Sequence, residues 1–264
     1  MTKIKDSVIW LTGASSGIGK ALALQLAERG AQLIISARRE SELLKVKEKC
    51  DSDQVKVLPL DLSEIPVLEE KAKTAASYFG EIDILINAGG ISQRDLAINT
   101  SLEVDRKIMD VNYFGSIALS KALLQSMVDR KSGHHVIISS AVGIISSPLR
   151  SGYAASKHAL HGFYDALRAE HYQDNIQVSI ICPGYILTDI SINALMGDGT
   201  AQNKMDDAQA NGITAEDCAK RIIRAIEKNK EEVYIAKGKE LAGIYLKRFI
   251  PALFSRVIRK AKVT

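Results

Sequence analysis

The sequence is poor in cysteine and has no long apolar run. Its three cysteines, Cys50, Cys182 and Cys218, lie far apart and form no C-x-x-C pair. This argues against a disulfide framework and a zinc site, and it favours a reducing compartment. No apolar run is long enough to cross a bilayer, and the first predicted strand begins near Ser7, which leaves no room for a signal peptide. We therefore expect a cytoplasmic protein.

The sequence also lacks internal repeats, low-complexity tracts and any grouping of histidines suited to a metal. His134 and His135 open a predicted strand, and His158, His161 and His171 lie on or beside one predicted helix. Solvated or helix-face roles are therefore expected, and no metal site is predicted. Hydrophobic residues make up 46% and charged residues 25% of the 264 residues, as in an ordinary globular chain. Residues 1–264 are predicted to form a single domain.

The chain alternates short apolar strands with amphipathic helices. Helices are predicted over Ile18–Arg29, Arg39–Cys50, Ser63–Phe79, Leu102–Arg130 and Tyr153–His171. Strands are predicted over Val8–Leu11, Gln32–Ala37, Val55–Leu58, Ile82–Asn87, His135–Ser139, Val178–Cys182 and Val233–Ala236. Near-continuous apolar strands of this kind are typical of a parallel sheet that helices cover on both faces. The predicted fold is α/β and doubly wound, with about seven strands.

Three glycines separate the first strand from the first helix. The stretch reads VIWLTGASSGIGK, and Gly13, Gly17 and Gly19 follow the spacing G-x3-G-x-G. Glycine lets the backbone approach a ligand closely, and a helix start offers free N–H groups and a partial positive charge. Ser15 and Ser16 add hydroxyl donors. The pattern predicts a pyrophosphate-binding turn, although an ordinary glycine-rich turn would look the same.

Two arginines follow the second predicted strand. A dinucleotide-binding unit that selects NAD usually carries an acidic residue about 20 positions after its glycines, for the ribose 2′-hydroxyl. Here the strand ends at Ala37 and is followed by Arg38 and Arg39, which suit the 2′-phosphate that distinguishes NADP. The alternative is a solvated basic helix start with Glu40 as counter-charge.

Two further strand ends carry residues suited to the same ligand. Asp61 and Leu62, after the third strand, could meet an adenine ring. After the fourth strand, Asn87, Ala88 and Gly89 bring open backbone towards a ribose. Because ligands of such sheets lie beyond the carboxyl ends of the strands, these residues are expected to share one site. Each alone would be ordinary turn chemistry.

A tyrosine and a lysine follow the fifth strand at helical spacing. That strand ends at Ser139 and Ser140, and Tyr153 and Lys157 lie at positions i and i+4 of the next predicted helix, so they share a face. Tyrosine has a reference pKa of about 10, and a nearby cation favours its ionised form. The pair could therefore serve one proton-transfer site.

Together these motifs resemble the short-chain dehydrogenase/reductase family of the Y-x-x-x-K type. The resemblance rests on the order and spacing, over residues 7–190, of TGASSGIG (12–19), NAG (87–89), Asn112, Ser140, Tyr153, Lys157 and PGYILT (183–188). It implies a Rossmann fold and an oxidoreductase that interconverts a carbonyl and an alcohol with a nicotinamide cofactor, which Arg38 and Arg39 indicate to be NADP(H). The fourth-strand motif reads INAGG where the family more often has NNAG.

The resemblance implies a role for each position. Tyr153 is expected to be the general acid/base, Ser140 to hydrogen-bond the substrate oxygen, and Lys157 to hold the nicotinamide ribose and lower the pKa of Tyr153. Asn112 is expected to anchor a water chain to Lys157. The residues expected to contact the cofactor are Gly13, Ser15, Ser16, Gly17, Ile18, Gly19, Arg38, Arg39, Asp61, Leu62, Asn87, Ala88, Gly89, Tyr153, Lys157, Pro183, Gly184, Ile186 and Thr188.

The substrate is less well determined by the sequence. Residues 188–213 are the expected substrate lid, and their apolar members, such as Ile190 and Met196, favour a lipophilic substrate of steroid, retinoid or fatty-acyl type. The same residues could merely pack on the core. The lid and tail most resemble the hydroxysteroid-dehydrogenase-like branch with a C-terminal extension. An alternative function is an NADP-binding redox sensor or scaffold with vestigial catalysis, because fold does not fix function.

The C-terminal extension, residues 237–264, is basic and amphipathic. It carries a net charge of +7, whereas residues 1–236 sum to −3. Such a segment can lie in a membrane interface, with Pro251 kinking or dividing its helix. Alternatively it covers the substrate pocket or a partner subunit. It shows no nucleic-acid-binding motif, and none is predicted. In the family that the motifs resemble, the helices Leu102–Arg130 and Tyr153–His171 lie on one side of the sheet, where a second subunit commonly pairs. Small residues on Tyr153–His171 would allow close approach of another helix, which predicts a homodimer or homotetramer, although they could equally serve packing against the sheet.

Overall fold

The computed structural model describes residues 1–261, and within them the chain forms nine strands and ten α-helices. The strands are β1 (Val8–Thr12), β2 (Gln32–Ser36), β3 (Val55–Val57), β4 (Ile84–Asn87), β5 (Gly133–Ile138), β6 (Ile176–Pro183), β7 (Ile186–Leu187), β8 (Ile213–Thr214) and β9 (Glu232–Ile235). The helices are α1 (Gly17–Glu28), α2 (Glu40–Cys50), α3 (Leu68–Phe79), α4 (Leu102–Met109), α5 (Gly115–Asp129), α6 (Ser151–Glu170), α7 (Asp207–Ala210), α8 (Ala215–Glu227), α9 (Gly238–Phe249) and α10 (Pro251–Ile258).

Seven of the strands form one parallel sheet in the order β3-β2-β1-β4-β5-β6-β9. Successive strand residues point to opposite faces of a sheet, so each strand contributes to two cores. Ile9 and Leu11 of β1 pack with α1, α2 and α8, whereas Trp10 packs with α3, α5 and α6. The predicted doubly wound α/β fold is confirmed.

Strand order reverses between β1 and β4, and this reversal positions the site. The chain leaves β1 to one side of the sheet and returns to the other side from β4 onwards. The loops that follow these two strands therefore diverge and leave a crevice at their carboxyl ends. Gly89 N donates a hydrogen bond to Thr12 Oγ1 over 3.2 Å, which joins the two loops at the base of the crevice.

Two predicted helices differ from the structure. The predicted helix Leu102–Arg130 is divided by a π-helical turn at Asp110–Phe114 between α4 and α5, an irregularity that often accompanies functional sites. The predicted helix Ser63–Phe79 begins later, at Leu68, and the N–H and hydroxyl of Ser63 both donate to Asp61 Oδ1. A short 3₁₀ turn, Ile65–Val67, containing a proline, precedes α3 instead.

The C-terminal extension forms two helices that meet at Pro251. Proline lacks an N–H and is well placed at the first position of a helix, and Pro251 begins α10 directly after α9 ends at Phe249 and Ile250 breaks the helix. The predicted division at this proline is confirmed. Lys262 and the rest of the predicted extension lie outside the described residues. Within residues 1–261, no helix is both long enough and apolar enough to cross a bilayer.

His134 and His135 are buried in β5, which corrects the expectation of solvated or helix-face roles. The His134 ring bonds Ser179 Oγ over 2.8 Å and Thr2 Oγ1 over 3.1 Å. Neither ring nitrogen of His135 has a hydrogen-bond partner within residues 1–261. Burial lowers the pKa of His134 to about 3 and that of His135 to about 4. Both imidazoles are therefore neutral at physiological pH.

His135→Leu is expected to reduce the acid sensitivity of the fold. As the pH falls below 6.5, the unfolded chain binds a proton that the folded chain does not accept until about pH 4. Over that interval the folded state loses about 3 kcal/mol relative to the unfolded state through this residue alone. Urea denaturation of wild type and variant at pH 7 and pH 4 measures the difference. An identical loss of stability in both proteins would show that His135 does not contribute.

Candidate active site

One large cleft lies at the carboxyl ends of the strands, beside the reversal between β1 and β4. It has a volume of about 1490 Å³ and brings together nearly all of the predicted site residues. Those that line it are Gly13, Ser15, Ser16, Gly17, Ile18, Gly19, Arg38, Arg39, Asp61, Leu62, Ala88, Gly89, Ser140, Tyr153, Lys157, Pro183, Gly184, Ile186 and Thr188. The two predicted residues that do not line it are Asn87 and Asn112.

The glycine turn after β1 forms a backbone cradle at one end of the cleft. Gly13 has a φ of +69° and Gly17 a φ of +51°, a region that side chains other than glycine rarely adopt. A Cβ on Gly13 would also lie 2.6 Å from Gly89 N. Ser16 makes no side-chain cap at the start of α1, so the first N–H groups of the helix are open to an anion. The cradle fits the pyrophosphate of a dinucleotide.

Two exposed guanidiniums stand at the carboxyl end of β2. Arg38 and Arg39 both line the cleft, and Arg39 directly precedes α2, which begins at Glu40. Asp61, on the next loop, accepts hydrogen bonds from the N–H and hydroxyl of Ser63. This end of the cleft therefore places two cations near the position predicted for the ribose that carries the 2′-hydroxyl or 2′-phosphate.

The other end holds the tyrosine, lysine and serine. Tyr153 and Lys157 lie one turn apart on α6, both buried, and Lys157 Nζ is 5.8 Å from the centre of the Tyr153 ring. Lys157 Nζ donates to Ile138 O over 2.8 Å, which ties it to the end of β5. Ser140, directly beyond β5, accepts a hydrogen bond from Val142 N over 3.1 Å. Three groups able to move or stabilise a proton thus share one wall.

Comparison with known proteins agrees with this arrangement. A family model described as short chain dehydrogenase matches residues 7–197, which covers both the glycine cradle and the Tyr153–Lys157 pair. The chain belongs to the short-chain dehydrogenase/reductase family.

Two relatives, each matched over at least three quarters of its own length, support the assignment. A dehydrogenase/reductase SDR family protein 7-like from Anopheles gambiae is 42% identical over 264 residues, covering 97% of this chain and 83% of that protein. The human dehydrogenase/reductase SDR family member 7 is 41% identical over 256 residues, covering 94% and 76% respectively. The family prediction is confirmed, and with it an oxidoreductase family that binds a nicotinamide cofactor.

Solved structures support the fold. A short chain dehydrogenase/reductase from Burkholderia phymatum, crystallised in complex with NAD, superposes with a TM-score of 0.84 at 22% identity and covers 96% of both chains. A short-chain dehydrogenase from Streptomyces avermitilis gives a TM-score of 0.80 at 26% identity, covering 95% of this chain and 96% of that one.

Burial shifts both titrating groups of the family's Y-x-x-x-K motif towards their neutral forms. It lowers the pKa of Lys157 to about 8 and raises that of Tyr153. The Ser140 hydroxyl and the positive charges of Arg94 and Arg150 partly offset the rise in the pKa of Tyr153. Further positive charge brought into the cleft would lower the pKa of the Tyr153 phenol, because it stabilises the phenolate.

Asn112 does not line the cleft but holds the backbone of Ile91, a residue that does. Its Oδ1 accepts from Ile91 N over 2.8 Å, and its Nδ2 donates to Ile91 O and Ser156 Oγ, each over 2.9 Å. A Cβ on Gly90 would lie 3.1 Å from Asn112 Oδ1 and 3.6 Å from Lys157 Nζ, so the two side chains flank Gly90. Both amide N–H groups are occupied. Asn112 is therefore a positioning residue, and only its oxygen could take part in the predicted water chain.

The Asn87 side chain does not line the cleft, so the expected contact of Asn87 with the cofactor, through its backbone, stays a prediction. Its side chain points into the core, where Nδ2 donates to Ser116 O over 3.3 Å, Ser120 Oγ over 3.3 Å and Tyr164 OH over 3.2 Å. This network ties the end of β4 to α5 and α6. The following residues, Ala88 and Gly89, are the ones that reach the cleft.

Sequence reasoning missed a buried charged cluster in the cleft wall. Arg94, Arg150 and Asp206 come from the loop after β4, the residue before α6 and the predicted lid. Arg94 Nε donates to Asp206 Oδ2 over 2.8 Å, and Arg150 Nη2 donates to the same oxygen over 3.3 Å. No periodic pattern in the sequence distinguishes these residues. The one available signal was Arg94 itself, a charged residue in the loop that follows a central strand.

The predicted lid and the tail both border the cleft. Thr188, Ile190 and Gln209 represent the lid among the lining residues, and the tail contributes Leu246, Phe254, Val257 and Ile258. Lys247 Nζ also donates to Ile144 O over 2.6 Å, which holds α9 against the loop after β5. The tail thus lines part of the pocket, which agrees with one of the three roles expected for it, and several of its apolar side chains are exposed.

Proposed function

We propose that this protein is an NADP(H)-dependent oxidoreductase that interconverts a carbonyl and an alcohol on a lipophilic substrate. The observation that carries the proposal is the clustering of Tyr153, Lys157 and Ser140 on one buried wall of the cleft that the glycine cradle opens into. Each has a distinct chemical capacity, and their common access to one cleft lets them act on one bound carbonyl.

The proposed roles follow from the chemistry of the side chains. The bound nicotinamide supplies or accepts the hydride. In reduction Tyr153 donates its phenol proton to the substrate oxygen, and in oxidation it takes the proton back. The Ser140 hydroxyl donates a hydrogen bond to the same oxygen. Lys157 stabilises negative charge on Tyr153 and would hold the nicotinamide ribose.

Arg38 and Arg39 support NADP(H) over NAD(H). A guanidinium binds phosphate through two parallel hydrogen bonds, and both side chains are exposed at the cleft where a ribose 2′-substituent would lie. No acidic residue precedes them at the end of β2. The NAD in the Burkholderia phymatum structure belongs to that protein.

The apolar wall of the cleft supports a lipophilic substrate. Val142 and Ile145 lie beyond β5, and Leu246 and Phe254 face the same cleft from the tail. Burying an apolar substrate against such a wall is favourable by about 25 cal/mol per Å² of area removed from water.

The test is a screen of carbonyl classes. Steroid ketones, retinal, long-chain aldehydes and free sugars are each offered with NADPH and with NADH, and loss of the reduced cofactor is followed. Consumption of NADPH with at least one lipophilic class, and none with sugars, is expected. Turnover of sugars alone would contradict the lipophilic assignment, and preference for NADH would contradict the cofactor assignment.

We propose further that the protein is cytoplasmic and touches a membrane peripherally through its tail. Phe249 is 74% and Leu253 is 43% exposed, although both are apolar. Arg248, Arg256 and Arg259 are exposed close by. Aromatic and aliphatic side chains beside cations favour an anionic interface, where each cation contributes about 1 kcal/mol.

Replacing both Phe249 and Leu253 with Ser is expected to abolish vesicle binding without unfolding the protein, because both side chains are exposed. Co-sedimentation with anionic and with neutral phospholipid vesicles, at low and high salt, measures the effect. Tyr172→Ser, which removes an 81% exposed aromatic elsewhere, is the matched control and should bind like wild type. If wild type stays in the supernatant with anionic vesicles, the membrane proposal fails and the tail serves the pocket.

The proposed assembly is a homodimer or homotetramer through the side of the sheet that carries α5 and α6. Phe114, next to α5, is 44% exposed beside Tyr113, and a Cβ on Gly162 of α6 would meet nothing within 4 Å. This face can therefore accept another helix closely. Light scattering at micromolar concentration is expected to give a multiple of 28.8 kDa; a monomer mass would contradict the proposal.

A further inference from the structure

Arg94 is a buried cation with one guanidinium nitrogen, Nη2, directed at the cleft. The residue is 4% exposed and lines the cleft. Nε donates to Asp206 Oδ2 over 2.8 Å, and Nη1 donates to Ser92 Oγ and Gln93 O, both over 2.7 Å. Nη2 has no hydrogen-bond partner within residues 1–261, and it is accessible to solvent. Nη2 therefore faces the cleft.

The surroundings of Arg94 hold Nη2 in a fixed position. Asp206 is 1% exposed, and its Oδ2 accepts from both Arg94 and Arg150 while its Oδ1 accepts from Gln202 Nε2 over 2.9 Å. Arg150 lies over the Tyr185 ring, 5.4 Å from its centre. Because both oxygens of Asp206 are engaged, the carboxylate does not turn to meet Nη2. The guanidinium is preorganised for one further acceptor.

The cluster lies within electrostatic reach of the reacting end of the cleft. Arg94 and Arg150 each favour the ionised form of Tyr153 through their charges. Burial and the neighbouring charge of Arg150 both lower the pKa of Arg94. A buried guanidinium is costly unless its donors are paired. An anion that accepts from Nη2 would complete the pairing of the Arg94 donors.

The geometry points to a binding site at Arg94 Nη2 for an anionic group of the substrate, a carboxylate or a phosphate, beside the carbonyl that Tyr153 serves. This inference rests on the proposed function. The apolar lining supplied by Ile145, Leu246 and Phe254 suits the rest of the same molecule. The substrate class is then an amphiphilic anion with a reducible carbonyl, which is narrower than a lipophilic carbonyl compound.

The test measures binding, so that it does not depend on turnover. Octanoate, octyl phosphate and 1-octanol are titrated calorimetrically into the full-length protein, with and without saturating NADP⁺. One of the two anions is expected to bind about tenfold more tightly than the alcohol, because a hydrogen bond between two charged groups is stronger than one to a neutral hydroxyl. The stronger of the two identifies the anion. Equal affinity of both anions and the alcohol would overturn the inference.

Variants separate the site from general charge. Arg94→Met should weaken anion binding about tenfold and leave 1-octanol unchanged. Lys239→Gln removes an exposed cation that also borders the cleft and should change neither. Equal weakening by both variants would overturn the inference. If Arg94→Met does not fold, Arg94→Lys keeps the positive charge but removes the Nη2 group. Anion binding by Arg94→Lys as tight as in wild type would overturn the inference.

The same data separate this inference from the proposed function. Anion binding that depends on Arg94, in a protein that oxidises no reduced cofactor, would refute the oxidoreductase and keep the site. Reduction of neutral lipophilic carbonyls, by a protein that binds anions no more tightly than the alcohol, would support the oxidoreductase and refute the anion site.

Discussion

Tyr153→Phe is expected to lower kcat about 10²–10⁴-fold while the affinity for the cofactor stays within about twofold of wild type. The substitution removes only the phenol oxygen, the group that gives its proton to the substrate. The ring, which packs in the buried wall, is kept. The glycine cradle, Arg38 and Lys157 are unchanged, so the cofactor keeps its contacts. Single-turnover kinetics and isothermal titration measure the two quantities on the same preparation.

The control for this substitution is Tyr172→Phe, which removes a phenol oxygen from an exposed side chain away from the cleft and should leave both quantities unchanged. Equal turnover by wild type and Tyr153→Phe would refute the proposed mechanism. Cofactor binding in both proteins with turnover in neither would favour the redox-sensor or scaffold alternative.

Arg38→Asp is expected to weaken NADPH binding about ten- to a hundredfold and to spare or improve NADH binding. Each charge-assisted hydrogen bond to the 2′-phosphate contributes about 1.5–3 kcal/mol, and about 1.4 kcal/mol corresponds to one decade in affinity. The new carboxylate repels the phosphate, whereas it can accept from the free 2′-hydroxyl of NADH. Titration of both cofactors into wild type and variant measures the change.

Lys49→Asp on α2 is the matched control, because it alters the net charge equally at an exposed position that does not border the cleft. It should weaken NADPH by no more than about twofold, the effect of a screened surface charge. Similar losses in both variants would mean that net charge alone determines the preference. A wild type that already binds NADH more tightly would contradict the NADP(H) assignment.

The fold could be predicted because its signals are local. The first four residues of β1 are apolar, and Gly13 follows the strand directly. Apolar strands and amphipathic helices then alternate along the chain. The Tyr153–Lys157 pair was equally accessible, since helical spacing alone places both side chains on one face of α6. Patterns of this kind need no knowledge of distant contacts.

The π-helical turn and the two asparagines were not accessible in the same way. Residues 102–130 have one continuous helical pattern, and the turn at Asp110–Phe114 breaks it where the Asn112 side chain bonds the backbone of Ile91. That contact is long-range. Asn87 ends a strand at the expected place, but strand alternation does not say which neighbour will bind its amide; α5 and α6 supply those acceptors.

The charged cluster shows the limit most clearly. Arg94 and Asp206 are 112 residues apart in the chain and bond only because the predicted lid folds back over the loop after β4. The lid contains several apolar residues, and nothing in the sequence separates Asp206, its buried carboxylate, from the exposed carboxylates around it. Sequence patterns thus indicated a lipophilic substrate, whereas the side-chain contacts add an anionic group to it.

Isotope transfer tests the central claim most directly. NADPH carrying deuterium at the transferable position of its nicotinamide is incubated with the protein and each carbonyl class of the screen, and the products are analysed by mass spectrometry. In a fixed incubation time, wild type is expected to give an alcohol with deuterium on its carbinol carbon, and Tyr153→Phe is expected to give about 10²–10⁴-fold less of it. A wild-type protein that binds NADPH but places deuterium in no product, across every carbonyl class, would contradict the central claim.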